Sequence, residues 1–330
     1  MIRTIGIVCI SLLFQMSLAQ PEAMNSDWQY VTSVDDSKPI ARHEAAFVAV
    51  GSKFYLLGGR GIKPVSIYDS KTGKWTQGSP SPIELHHFQP VVYRDNIYII
   101  GAFTGPYPTE TPVPNIYTYE PETNIWQKGT EIPHDRRRGG AGAVLVGSKI
   151  YVVCGITNGH QSGHKPWLDV YDPETQEWTK KEDAPRARDH FQAVATEGKI
   201  YAVAGRLSKA PEATFSETIT EVDCYDLHTQ RWTTLPNPLP TPRAGNAALF
   251  ANGNVLVVGG ESAAQTEAHH EVEALDVTTK KWETWPSMLR GRHGSSVLNY
   301  KGELYIASGC GNRGGNPELD SMEKLPLPSN

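Results

Sequence analysis

The sequence predicts an all-β ring of six blades, each of four antiparallel strands, that is, a six-bladed β-propeller. Two spacings and one period predict it. Six segments of 18 residues, 42–59, 85–102, 138–155, 188–205, 243–260 and 292–309, each hold a hairpin pattern and end on a pair of small residues. A Tyr or Leu is followed seven positions on by Trp in five of the units, at Tyr68/Trp75, Tyr119/Trp126, Tyr171/Trp178, Tyr225/Trp232 and Leu275/Trp282. The copies recur about every 50 residues. A unit of four short strands cannot bury both its faces alone, so neighbouring units must close on one another.

Residues 168–206 show one unit in full. The run Leu168-Asp169-Val170-Tyr171-Asp172 alternates as a half-buried strand does, and a turn then delivers Trp178 onto the next strand. A hairpin follows around Glu197-Gly198. On this template the blades are expected at about 40–82, 83–133, 134–184, 185–238 and 239–288, with a last one at 289–326 plus 26–33. That last blade runs out after three strands, while Trp28 has no blade of its own. The N-terminal strand is therefore expected to complete it, which leaves no open edge.

The Gly58-Gly59 and Gly259-Gly260 pairs, the Tyr-Asp pairs at 68, 171 and 225, and the spaced Trp together resemble the kelch repeat. The resemblance spans nearly the whole chain after residue 20. Four units depart from it by replacing one glycine, at Gly101-Ala102, Cys154-Gly155, Ala204-Gly205 and Ser308-Gly309. It implies a propeller of the galactose oxidase/kelch superfamily, in which fourth-strand Trp residues pack between blades.

Residues 1–20 carry one charge, Arg3, then an apolar run ending in Ser17 and Ala19. They read as a secretory signal peptide cleaved near Ala19/Gln20, followed by a single propeller over 21–330. Secretion, extracellular or periplasmic, follows as an expectation, with no membrane insertion of the remainder. Cys9 falls in the leader; Cys154, Cys224 and Cys310 are expected to be unpaired and buried. A net charge of −5 argues against nucleic acid as partner.

Function is expected on one face. The first-to-second and third-to-fourth turns have constant length, whereas the span from the small pair to the Tyr/Leu landmark runs 9, 17, 16, 20, 15 and 16 residues across the blades. Ten of the 11 histidines fall on that variable side, His228 being the exception. So do the residues that precede the first strands, Arg42, Arg138, Arg188, Arg243 and Arg292, with Leu85 in blade two. Since first strands surround the axis, these five arginines are expected around the channel mouth as an anion clamp. The other reading is that each bonds loop carbonyls or a neighbouring acid and holds its blade together. Beside them, Arg206, Glu261 and Arg313 are candidate ligand contacts, and Trp167 a candidate stacking platform. His190, His87 and His293 are candidate acid–base groups.

No cofactor and no metal is expected. Glu261-x3-Gln265-x3-His269 is similar to the Glu-x3-Asp-x3-His iron site of nitrile-specifier kelch proteins, but an amide replaces the central carboxylate. The pairs His86-His87 and His269-His270 are expected to diverge on extended backbone. No match to the copper motif of galactose oxidase is present. The exported kelch proteins that interconvert N-acetylneuraminate anomers fit in length. The expectation is thus an acidic or sulfated saccharide bound at the mouth, with a sugar mutarotase or epimerase as the enzymatic version. The alternative is a non-catalytic module that docks an extracellular protein on the same face.

Overall fold

The computed structural model describes residues 27–328; the leader expected in residues 1–20, with Cys9, lies outside them. Six four-stranded antiparallel sheets form the blades. Blade one runs Ala45–Val50, Lys53–Gly58, Pro64–Asp69 and Lys74–Pro80. The later blades begin at Val91–Tyr93, Gly142–Val146, Ala193–Thr196, Ala247–Ala251 and Val297–Tyr300. In blade six, Gln29–Tyr30 pairs with Met322–Pro326, so the ends of the chain are clasped within one sheet. Among the described residues no helix is long and apolar enough to cross a membrane.

The landmark spacing is a cross-strand register. Tyr68 faces Trp75, Tyr119 faces Trp126, Tyr171 faces Trp178 and Tyr225 faces Trp232, with ring centroids 5.1–5.2 Å apart. Several indoles also reach the preceding blade. The Nε1–H of Trp126 donates to Ser79, that of Trp232 to Glu182, that of Trp282 to Asn237 and that of Trp28 to Pro286. Trp28 is buried among Trp285, Leu304 and Leu325, which fills the seam between the last two blades. Cys154, Cys224 and Cys310 are free and buried.

At the axis the blades are tied by a circle of backbone hydrogen bonds, with the Gln89 and Gln192 side chains bridging further blades. The second residue after each pre-strand position is Glu44, His87, Gly140, His190, Gly245 or Gly294, and all six have φ between +53° and +63°. In five of them that conformation turns the N–H toward the carbonyl one blade back: His87 to Glu44, Gly140 to His87, His190 to Gly140, Gly245 to His190, Gly294 to Gly245. The amide of Ala45 donates to Gly294 and closes the circle.

The five pre-strand arginines are not at the mouth. Each is buried and turns into its own blade, donating to the carbonyl 16 residues on: Arg42 to Gly58, Arg138 to Cys154, Arg188 to Ala204, Arg243 to Gly259, Arg292 to Ser308. In four blades the guanidinium also meets a third-strand carboxylate, of Asp169, Asp223, Glu273 or Glu323; Arg42 instead meets Ser66 and the Pro64 carbonyl. Blade two carries Leu85 in place of Arg and Tyr117 in place of the acid, both in one apolar cluster. The anion clamp expected from Arg42, Arg138, Arg188, Arg243 and Arg292 is therefore corrected: these groups satisfy carbonyls at the ends of second strands. An Arg can do this because its planar fork offers five donors in fixed directions.

Two consequences can be measured by denaturant unfolding. Trp28→Ala should cost about 3–5 kcal/mol, whereas the exposed Tyr30→Ala should stay within about 0.5 kcal/mol. Equal shifts would contradict the clasp. Arg243→Leu should cost about 3–5 kcal/mol because Glu273 is left buried and unpaired. Adding Glu273→Tyr, the blade-two solution, should recover most of that loss, and no recovery would contradict the equivalence of the two pairs.

Candidate ligand site at the axial mouth

Above the backbone circle lies a cavity of about 450 Å³, lined by His43, Glu44, Arg60, His87, Tyr107, His160, Arg206, Thr214, Phe215, Glu261, His293, Gly314 and Gly315. Two tiers of the repeat build it. The floor comes from the three positive-φ positions that carry side chains, Glu44, His87 and His190. A non-glycine residue in that conformation is disfavoured by on the order of 1 kcal/mol or more. The wall comes from antiparallel bridges between the residue after each pre-strand position and the residue after each small pair. They are His86–Phe103, Gly139–Ile156, Asp189–Arg206, Ala244–Glu261 and His293–Cys310.

Inserted loops complete the wall. In blade two, Phe103–Thr104 pairs with Thr111–Pro112, and the loop between them brings Tyr107 and Glu110 over the mouth. In blade three, Ile156–Asn158 pairs with Ser162–His164, and His160 sits in the turn. The turn is pinned from both sides: the His160 N–H donates to Pro108 and the Ala210 N–H donates to His160. Gly159 fits because a Cβ there would stand 2.3 Å from the Pro108 carbonyl oxygen. Tyr107 reaches across to blade four, its hydroxyl 3.0 Å from Thr214 Oγ1.

Most of the buried polar groups are paired with one another, while His190 Nε2 and His293 Nδ1 have no hydrogen-bond partner. His160 Nδ1 is 2.9 Å from Glu110, which also takes Arg60; His190 Nδ1 bonds Asp189. His86 Nε2 is 3.1 Å from the Gly105 carbonyl, and its Nδ1 is 2.6 Å from His87 Nδ1. This corrects the expected divergence of His86 and His87: the positive φ of His87 swings its ring back onto its neighbour. Arg206 bonds Glu261 at 2.7 Å and lies 5.2 Å from the Phe215 ring centroid. His293 stands between Glu44 at 3.6 Å and Glu261 at 3.4 Å.

Burial sorts these groups by charge. It pushes His86 and His190 down to about 4 and His87 well down, with cationic neighbours adding to the effect. His293 goes the other way: burial disfavours its cation, but the Glu261 and Glu44 carboxylates outweigh that and hold it well above an ordinary imidazole. Glu110 is held at about 2 against burial by His160 and Arg60, and Glu44, Asp189 and Glu261 are likewise held down by cationic neighbours.

Of the residues expected from sequence, His87, His293, Arg206 and Glu261 line the cavity and His190 lies in its floor. Arg313 sits on the rim, 5.6 Å from the Phe215 centroid. Trp167 does not form a platform: Arg136 and Arg138 cover it, at 4.1 and 5.5 Å from the ring centroid. Glu261, Gln265 and His269 do not converge, since His269 bonds Ser262 and Glu271 while Gln265 turns to the Glu267 carbonyl. Arg60, Glu110, Thr214 and Phe215 carried no motif. Their signal was only that they stand in the variable loops.

Residues 91–309 match the KLHDC2/KLHL20/DRC7 Kelch-repeats domain. The Kelch-like protein terF of Aspergillus terreus is 29% identical over 286 residues, 81% of this chain and 61% of that protein. Human Kelch-like protein 23 is 27% identical over 64% of this chain and 36% of its own length, and alpha-scruin of Limulus polyphemus 26% over 67% and 24%. The chain thus spans less than two thirds of the length of these relatives. Among solved structures, that of YjhT superposes with a TM-score of 0.72 over 86% of this chain and 95% of that one, at 18% identity, a likeness of fold alone. The chain belongs to the kelch-repeat family of β-propellers.

Proposed function

We propose that this kelch propeller binds a small polar organic molecule in the axial cavity of its loop face. One contrast carries the reading. The pre-strand arginines bond carbonyls within every blade that has one, whereas Glu44, Arg206, Glu261 and His293 pair with one another across blades one, four, five and six. A buried cluster of charges contributes little net stability, so such a cluster facing a cavity is better explained by a ligand. The volume falls in the range of ligand pockets, roughly 300–1,000 Å³. Tyr107 and Phe215 offer apolar faces, and Arg206, Glu261 and His293 offer donors and acceptors.

The premise of a strongly anionic saccharide weakens with the pre-strand arginines buried, because the remaining cations already face carboxylates. A mixed ligand with hydroxyl or carbonyl oxygens and one apolar face matches the walls better. His293, held well above an ordinary imidazole by two carboxylates, suits proton donation. A second reading, docking of a protein, is favoured by the exposure of Ile62 (57%) and Tyr107 (49%), both carried by loops of this face.

A thermal-shift screen of small polar metabolites, followed by calorimetry, tests the proposal. A compound at 100 times its Kd should stabilise the fold by about 2.7 kcal/mol. Phe215→Ala should abolish that shift and leave the unliganded melting temperature nearly unchanged. A screen without a single hit, with Ile62→Asp abolishing capture of a purified protein partner, would move the conclusion to docking.

A further inference from the structure

We propose that His87, His160 and His190 bind one divalent transition-metal ion of the zinc, copper or iron class, with an open coordination position toward the cavity. The three come from blades two, three and four and are buried, and one ring nitrogen of each lies within 4.8 Å of those of the other two. Three imidazoles converging with an open face are the donor set of a reactive site and not of a closed structural one.

Tautomers supply an independent argument. The Gly105 carbonyl only accepts, so His86 carries its proton on Nε2 and presents a bare Nδ1. His87 must then donate from Nδ1 to His86. His160 donates from Nδ1 to Glu110, and His190 from Nδ1 to Asp189. With Nδ1 donating in each of the three rings, Nε2 is the nitrogen left to act as a ligand. The His190 Nε2 is buried without any hydrogen-bond partner, and the His87 Nε2 stands 3.2 Å from a Glu44 oxygen, one acceptor against another. Ring nitrogens of three buried histidines within 4.8 Å of one another, with a Glu44 oxygen 3.2 Å from the His87 ring, form a place suited to a cation. Carboxylates behind two of the rings also fix their orientation and raise their basicity, as metal sites require.

The backbone points the same way. His87 and His190 occupy positions where three other blades have glycine, so imidazole is kept there against local conformational preference. This inference does not depend on the organic ligand: metal binding can be measured with the cavity otherwise empty, and a failed metabolite screen leaves it standing.

Tag-free protein, stripped with a chelator and dialysed, should take up one Zn(II) or Co(II) per chain in calorimetric titration and elemental analysis. Bound Co(II) should show the visible bands of a low-coordinate site. His190→Gly puts in the residue that blades three, five and six already use, so it should fold, by circular dichroism, and lose stoichiometric binding. Glu110→Gln should weaken binding by about 10–100-fold. His228→Ala, on the opposite face, should bind as the parent does. The proposal is overturned if the stripped protein takes up less than a tenth of an equivalent at micromolar metal, or if folded His190→Gly and His160→Ala variants bind as tightly as the parent.

Discussion

The molecule depends on a circle of six backbone hydrogen bonds about its axis. In five of them the donor is a residue with positive φ, whose N–H faces back to the previous blade; the sixth donor is Ala45, next to the positive-φ Glu44. The constraint falls on conformation and leaves the side chain unspecified, and glycine meets it most cheaply. Gly140, Gly245 and Gly294 do so, and at Gly294 a larger residue would also crowd its neighbour, since a Cβ there would stand 2.7 Å from the Glu44 amide. Glu44, His87 and His190 adopt the same conformation at a cost; Glu44 and His87 line the cavity of the loop face and His190 lies in its floor. Structure and candidate chemistry therefore share six positions, divided evenly between the residue the fold prefers and residues it merely tolerates.

Charge is divided on a similar principle. Inside each blade but the second, an Arg satisfies carbonyls where the second strand ends, and in four of them a third-strand carboxylate faces it. Blade two shows that the pair is one solution among others, since Leu85 and Tyr117 fill the same place. At the mouth, by contrast, charges pair between blades and surround empty volume. Arg206 at the mouth is as buried as the arginines inside the blades, so burial alone does not tell a strut from a contact; what distinguishes them is whether the partner is a backbone carbonyl of the same blade or a side chain of another.

The sequence made the architecture legible because its signals are local and repeated. The 18-residue segments are strand–turn–strand units, the seven-residue spacing is a cross-strand pair, and the unpaired Trp28 marked the clasp. Direction of side chains was not legible. Being next to the axis placed the five arginines near the mouth along the chain, yet their side chains run back into the blades. A signal for this did exist in the pattern: an acid two residues before the landmark accompanies Arg at 138, 188, 243 and 292, and both are absent together in blade two. The imidazole cluster was hidden for a different reason. His87, His160 and His190 are brought together by ring closure and by an inserted turn, which no short-range spacing encodes, and the His86-His87 pair defied the expectation for extended backbone because His87 is not extended.

The central claim is that side chains at the positive-φ positions are retained for a bound ion and not for the fold. Denaturant unfolding of the parent and of His190→Gly, each with chelator and with saturating zinc, tests it most directly. With chelator the variant should be at least as stable as the parent, since glycine relieves the backbone and Asp189 keeps its bonds to Ser208. With zinc the parent alone should gain stability. A variant weakened in chelator by a core-like margin, or zinc shifting both proteins equally, would contradict the account.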